Sequence, residues 1–582
     1  MEKHYTSERN IQIVIALMKA HGIRYVVASP GATNVTLVGS MQQDPFFKIY
    51  SSIDERSAGY IACGIAAETG EAVALSCTGA TASRNYMPGL TEAFYRKLPI
   101  LALTSTQHTG RVGNMIPQVI DRSVVANDIA KFSVTLPTIQ TAEDEWDCTV
   151  KANRAILELF HNGAGPVHIN LTTTYSSDFS VKELPPVRVI RRHGMLDDLP
   201  EIQGDRVGIF VGAHLKWSLE LTEAVDRFCE KYNAAVFCDH TSNYNGKYKV
   251  FFSLACRQEC GNPSAYYPNQ LIHIGEISAD YPMMQLGVKS RVWRVSPDGK
   301  ICDLFKGLTD VFEMDETVFF KRYAEREIVD RETSYWQHCM EHKKDIDAQV
   351  PELPFSNPWI AAQIAEKLPE NAVLHLGILN SIRSWNCFDV PGNVPSYANT
   401  GGFGIDGCMS SMVGASFVAP EKLFFGVFGD LAFFYDLNSL GNRHIGKNLR
   451  ILLINNGRGT EFRIYNHPAA RFGEEADIYM AAAGHYGKKS PDLIKHYSKD
   501  LGFHYLTASN KKEFLEVVPE FLNSQASDKS IIFEVFTDSR DENNAIKELS
   551  NIEKSLSGEA KNLLKSVLGE KGIAVTKKLL GK

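Results

Sequence analysis

The chain contains no run of about 18 apolar residues, and its opening, Met-Glu-Lys-His-Tyr-Thr-Ser-Glu, lacks the apolar segment of a secretory leader. A cytoplasmic protein with no transmembrane segment is the expectation. Lysine and arginine nowhere form a block as long as a nucleic-acid-binding arm, and 61 basic against 68 acidic residues leave a formal net charge of -7. Nucleic acid is therefore not an expected partner. Cysteine occurs 11 times but scattered, and the one close pair, Cys256 and Cys260, has no second pair to complete a zinc site. Free thiols in a reducing compartment are expected.

What is present is length and apolar content: 582 residues, 44% of them hydrophobic, enough for three or four cores at about 150 residues per domain. Residues 1–184 alternate helical patterns with short apolar strands: a helix over Ile11 to His21, then strands at Tyr25 to Ala28, Ala72 to Cys77 and Ile100 to Thr104. Pro185-Pro186 and the basic Arg188 to Arg192 read as a linker. A second alternating unit, 193–345, starts at Val207 to Gly212, continues through Leu271 to Gly275 and Arg291 to Val295, and ends in a charged helix over Lys321 to Met340. A third, 355–540, holds strands at Val373 to Leu376, Leu423 to Phe428 and Arg450 to Asn455. Such alternation predicts an α/β protein with three doubly wound parallel-sheet domains. Residues 541–582 are rich in Glu, Lys, Asn and Ser and read as a charged helical extension, exposed and suited to a neighbouring subunit.

Two distant motifs carry chemistry together. Glu55 lies in Ile53-Asp54-Glu55-Arg56-Ser57-Ala58-Gly59, and far downstream Gly429-Asp430 and Asn455-Asn456 each follow an apolar strand. Ligands of open parallel sheets sit at the carboxyl ends of strands, where Gly429-Asp430 and Asn455-Asn456 fall. An isolated acid that exchanges a proton with an aminopyrimidine, paired with oxygen ligands for a diphosphate-bound hard cation, is the requirement of thiamine diphosphate chemistry. Glu55 is the candidate acid; Asp430, Asn456 and a backbone carbonyl near Arg458 are the candidate Mg2+ ligands.

Ser29-Pro30-Gly31, Asp54 to Gly59, Gly404-Ile405-Asp406-Gly407, and Gly429-Asp430-Leu431-Ala432 with Tyr435 to Leu440 together resemble the thiamine diphosphate-dependent decarboxylases and carboligases, of the pyruvate oxidase/decarboxylase type. Within that family the chain looks most like the SEPHCHC synthase branch of menaquinone synthesis. The resemblance implies that residues 1–184 bind the aminopyrimidine and 355–540 the diphosphate. It implies cofactor contacts from Glu55, Gly402, Ile405, Asp406, Gly429, Asp430, Leu431, Ala432, Asn456 and Arg458, with Ile405 wedging the cofactor into its bent shape. Gln118 matches a polar residue facing the reacting centre. Asn455 is an alternative to Asn456, because the interval after Asp430 is one residue shorter than in that branch. A homodimer or homotetramer is implied, with Glu55 reaching the cofactor of a neighbouring subunit. FAD is left open and not expected.

The departures concern the substrate. Where the branch carries arginines, this chain has Thr33, Thr400 and Gln107 or Thr106, and threonine supplies no charge for bidentate carboxylate binding. A substrate bearing several carboxylates is therefore not expected. Thr33, Ser381, Arg383 and Arg463 remain the substrate candidates. The resulting expectation is an enzyme that decarboxylates a 2-oxo acid and transfers the acyl-anion equivalent to an acceptor. The alternatives are a non-ligating decarboxylase that releases an aldehyde, and a catalytically silent member of the fold. An oxidative ferredoxin-linked reaction is disfavoured by the scattered cysteines.

Overall fold

The structure, a computed structural model, describes residues 4–261, 263–327, 334–485, 489–525 and 528–553. The chain divides into two compact units, Met1–Gly194 with Gly299–Val311, and Met195–Asp298 with Phe312–Lys582.

In the first unit, β1 (Tyr25–Ala28), β2 (Lys48–Ser51), β3 (Val73–Cys77), β4 (Ile100–Thr106), β5 (Phe132–Leu136) and β6 (Val167–Thr172) form a parallel sheet in the order β2-β1-β3-β4-β6-β5. Alternate residues of β3 face opposite cores: Val73, Leu75 and Cys77 join one, Ala74 the other. This period of two is why the central strands are buried along their whole length and largely apolar, since helices cover both faces. The helix Glu55–Thr69 starts at Asp54, whose side chain accepts the Arg56 N–H, and stops at Gly70 in the left-handed region (φ 69°). It packs on the helix Met87–Tyr95 through Gly59 and Gly89, where a Cβ on Gly89 would stand 2.7 Å from the Gly59 backbone. The basic stretch expected to be a linker contains β7 (Arg191–His193).

The second unit holds β8 (Val207–Val211), β9 (Ala235–Cys238), β10 (Lys249–Phe251), β11 (Gln270–Ile274) and β12 (Arg291–Val295), parallel in the order β10-β9-β8-β11-β12. The strand β13 (Leu308–Phe312) lies beside β7, and His193 Nε2 is 2.9 Å from Asp310 Oδ1. A further sheet in the second unit comprises β14 (Ala372–Leu376), β15 (Ser396–Ala398), β16 (Leu423–Gly429), β17 (Leu449–Asn455), β18 (His504–Ala508) and β19 (Ile531–Phe536), all parallel, ordered β15-β14-β16-β17-β19-β18. Three parallel α/β sheets are thus present, as the alternation implied.

Two expectations need correction. The single charged helix over Lys321 to Met340 is instead two helices, Glu316–Ala324 and Tyr335–Asp347, with 328–333 outside the described residues. The start of the C-terminal extension is not exposed: the helix Ser539–Leu549 buries Glu542, Ala545, Ile546 and Leu549, a spacing of three and four that turns one face to the core. Residues 554–582, the remainder of that extension, lie outside the described residues. Among the described residues no helix is long and apolar enough to cross a membrane.

Candidate cofactor site

The parallel neighbours β16 and β17 end side by side, with Gly429 opposite Ile454, so both motif turns emerge at one sheet edge. Asp430 opens the helix Asp430–Asp436 and is only 5% exposed. Its Oδ1 accepts the Leu431 N–H at 2.8 Å and its Oδ2 accepts the Gly457 N–H at 2.7 Å. Burial raises its pKa to about 6, against the opposing pull of these backbone donors. Gly426 in β16 lets the helix Cys408–Phe417 approach: a Cβ there would lie 2.6 Å from the Met412 sulfur and 2.4 Å from the Phe428 ring.

The neighbouring Asn456 presents a buried side-chain oxygen with no hydrogen-bond partner. Buried polar atoms are nearly always satisfied, and a buried carboxylate and an orphan amide oxygen on one cavity wall are both hard oxygen donors. The donor set fits Mg2+ chemically. Asn455 faces elsewhere: its amide donates to Glu534 Oε1 at 2.7 Å, and Glu534 Oε2 accepts the Tyr505 hydroxyl at 2.7 Å. Of the two asparagines, Asn456 borders the cavity and Asn455 does not.

That cavity, about 100 Å³, is walled by Ile405, Gly429, Asp430, Leu431, Ala432, Asn456 and Arg458, with Ser381 also on its lining. Gly402 and Asp406, on the same loop as Ile405, are exposed and do not line it. The arginines named as substrate candidates are engaged. Arg383 pairs with Glu461 and stands 5.5 Å over the Tyr281 ring. Arg463 donates to the Gly473 carbonyl and lies 3.7 Å from Asp477, which also accepts from Arg458 at 2.8 Å.

In the first unit, Glu55 is half-buried at its helix start, within 3.5 Å of the Asn85 amide. Thr33 is buried; its hydroxyl meets that of Thr78, donates to the Ser105 carbonyl at 3.2 Å and accepts the Gly79 N–H at 3.2 Å. Gln118 is exposed, on a backbone held at φ 65°.

Two acidic residues of the cavity lining escaped the sequence reading. Glu461 follows the Asn-Asn turn by five residues and lines the wall, but only its pairing with Arg383 reveals a role. Glu542 reaches the same wall from the helix Ser539–Leu549, where its carboxylate accepts the Asn357 N–H at 3.0 Å and the Thr537 hydroxyl at 2.7 Å. Nothing in the sequence distinguishes it from the acids around it.

Residues 10–125, which include Glu55, Thr33 and Gln118, match the family described as thiamine pyrophosphate enzyme, N-terminal TPP binding domain. Over 559 residues the chain is 32% identical to 2-succinyl-5-enolpyruvyl-6-hydroxy-3-cyclohexene-1-carboxylate synthase (SEPHCHC synthase) of Bacteroides fragilis, covering 92% of this chain and 97% of that one. The synthase of Bacteroides thetaiotaomicron is 30% identical over 564 residues, 92% of this chain and 96% of its own. That of Porphyromonas gingivalis is 25% identical over 565 residues, again 92% and 96%. Three parallel α/β sheets and this match define a thiamine diphosphate-dependent enzyme. The chain belongs to the thiamine diphosphate-dependent enzyme family that includes these SEPHCHC synthases.

Proposed function

We propose that this enzyme, with Mg2+, decarboxylates a 2-oxo acid and transfers the resulting acyl-anion equivalent to an acceptor. The observation that supports the metal half is the buried Asp430 carboxylate on the same cavity wall as the orphaned Asn456 oxygen, and the Arg458 carbonyl would be the third ligand. Thiamine diphosphate, when bound, supplies a nucleophilic thiazolium carbon that stabilises a carbanion. The protein residues orient and transfer protons around it. Asp430 and Asn456 would hold the metal, Gly429, Leu431 and Ala432 would border the diphosphate, and Ile405, on the same cavity wall, would pack against the cofactor. Glu55 exchanges a proton with the aminopyrimidine nitrogen, and Gln118 orients the reacting carbonyl.

The carboligase reading rests on the relatives' name, synthase, and a plain decarboxylase is the runner-up. We further propose a homodimer or homotetramer in which Glu55 serves the cofactor held by a second copy. The Glu55 helix supports this by exposing Tyr60 (48%) and Ile61 (42%). The decisive experiment is calorimetric titration of thiamine diphosphate with and without Mg2+, followed by CO2 release from a panel of 2-oxo acids including pyruvate and 2-oxoglutarate. Metal-dependent binding with CO2 release is expected, and free aldehyde formed without acceptor would favour the runner-up. No binding in either condition would sink the proposal.

A further inference from the structure

Arg122 is the most unusual charged group in the first unit. It is 5% exposed, and its Nε and one terminal nitrogen are buried with no hydrogen-bond partner. Its other terminal nitrogen donates to the Ser105 carbonyl at 3.3 Å, and among the described residues it makes no ion pair. Five donors in a planar fork, two nitrogens of which are unsatisfied, match a carboxylate better than any neutral partner. Leaving a buried guanidinium uncompensated costs several kcal/mol, which a fold retains only if something offsets it.

The surroundings intensify the positive charge. Arg84 donates to the Asp121 carbonyl at 2.9 Å, next in sequence to Arg122, and burial, with a smaller contribution from the Arg84 charge, lowers the Arg122 pKa to about 10. Buried His168 is pushed down to about 3 by burial and then by the fields of Arg122 and Arg84, so it stays neutral and adds no charge. The Asp121 carboxylate accepts the Ser123 N–H and is exposed to water, so it does not neutralise Arg122.

The position is also informative. The Ser105 carbonyl that accepts from Arg122 also accepts from Thr33. Gly79 leaves room there: a Cβ on it would stand 3.0 Å from that carbonyl, 3.5 Å from the Arg122 nitrogen and 3.5 Å from the Gln118 carbonyl. The Cys77 thiol, at the end of β3, feels the charges of both Arg122 and Glu55, with opposite sign. Arg122 thus gathers with Thr33 and Gln118 around Gly79 and the Ser105 carbonyl, at the carboxyl ends of β1, β3 and β4, while Arg383 and Arg463 are already engaged by Glu461 and Asp477.

We propose that Arg122 binds the carboxylate of a substrate, replacing by a guanidinium from the loop after Gln118 the charge that Thr33 does not provide. The inference rests on the 2-oxo acid reading above. The single guanidinium of Arg122 fits one carboxylate at this point.

The test uses the full chain loaded with thiamine diphosphate and Mg2+, cofactor affinity being measured first so that failure of the cofactor reading is seen separately. Thermal unfolding is then followed with pyruvate, 2-oxoglutarate and the non-reactive dicarboxylate succinate as probes, for the native protein and for Arg122→Met and Arg122→Lys. A midpoint raised by at least one probe in the native protein, with at least a tenfold loss of that probe's affinity in Arg122→Met and partial retention in Arg122→Lys, is expected. Without probe, Arg122→Met should unfold at the same or a higher temperature, because a buried unpaired charge has gone. Stabilisation by pyruvate alone identifies a donor site, and stabilisation by succinate as well identifies a general carboxylate site open to an acceptor. Equal probe binding in native and Met variants, or no stabilisation of the native protein by any probe, overturns the proposal. If Arg122→Met fails to fold, Arg122→Lys with unchanged probe affinity overturns it as well.

Discussion

Asp430 and Gly457, 27 positions apart, are joined by a 2.7 Å hydrogen bond from the Gly457 N–H to the Asp430 carboxylate. This bond ties the turns after two adjacent parallel strands and holds the carboxylate beside the orphaned oxygen of Asn456. A carboxylate desolvated to this degree favours either a proton or a cation, and the proposed Mg2+ is such a cation.

Asp430→Ala should therefore reduce Mg2+-dependent thiamine diphosphate affinity by at least about 100-fold, as loss of a charged metal ligand does. Calorimetry with and without Mg2+ checks this. Unchanged affinity would remove Asp430 from the metal site.

Glu55→Gln preserves shape and hydrogen bonding but not acidity. Cofactor affinity should stay within about threefold while turnover falls by about 10² to 10⁴, the range of a lost general acid. Retained turnover would show that another group carries the proton.

Glu542 is 4% exposed, and burial raises its pKa to about 7, above the ordinary carboxylate value, in spite of hydrogen bonds from Thr537 and Asn357. The folded state therefore holds this proton more tightly than the unfolded chain. Its contribution to stability is present below about pH 4.5 and is lost as pH rises through about 7. Cofactor-free protein should lose stability across that window, and Glu542→Gln should flatten the profile. Denaturant midpoints measured between pH 5 and 8 decide it; a variant profile as steep as the native one would locate the dependence elsewhere.

Glu461 neutralises Arg383 on the cavity wall. With Glu461→Gln the guanidinium is released, and affinity for dianionic 2-oxoglutarate should rise about fivefold, about 1 kcal/mol at the effective dielectric of a part-buried pair, and more than for pyruvate. Binding titrations with both acids test the charge argument. An equal change for the two would mean that Arg383 does not face substrate.

Gly426→Ala places a methyl against Met412 and Phe428 at distances below van der Waals contact. A loss of about 1–3 kcal/mol, typical of overpacking, is expected in chemical unfolding, accompanied by weaker cofactor binding because Gly429 ends the same strand. An unaffected midpoint would show that the helix Cys408–Phe417 shifts freely.

The parallel α/β architecture was legible because strands buried on both faces are largely apolar: Ala72 to Cys77, Leu423 to Phe428 and Arg450 to Asn455 all became strands within a residue or so. Glu55 and Asp430 were likewise legible as candidates, since a lone acid at a helix start and a Gly-Asp after a strand are local patterns. The charged stretch Lys321 to Met340 misled for the complementary reason. Helical propensity there is nearly uniform, and the end of one helix at Ala324 and the start of the next at Tyr335 depend on which aromatic residues the core accepts.

Sequence by itself thus determined the sheets and the cofactor family and pointed to two candidate motifs, because periodicity and short motifs are written in neighbouring residues. Tertiary structure alone decided that Asn456 and not Asn455 borders the cavity, that Glu542 comes to its wall from the final described helix, that Arg383 and Arg463 are paired, and that Arg122 is buried with two nitrogens unsatisfied. Each of these depends on which groups from distant segments share a desolvated volume, and the strength of a charge or hydrogen bond there is set by what surrounds it and not by its place in the chain.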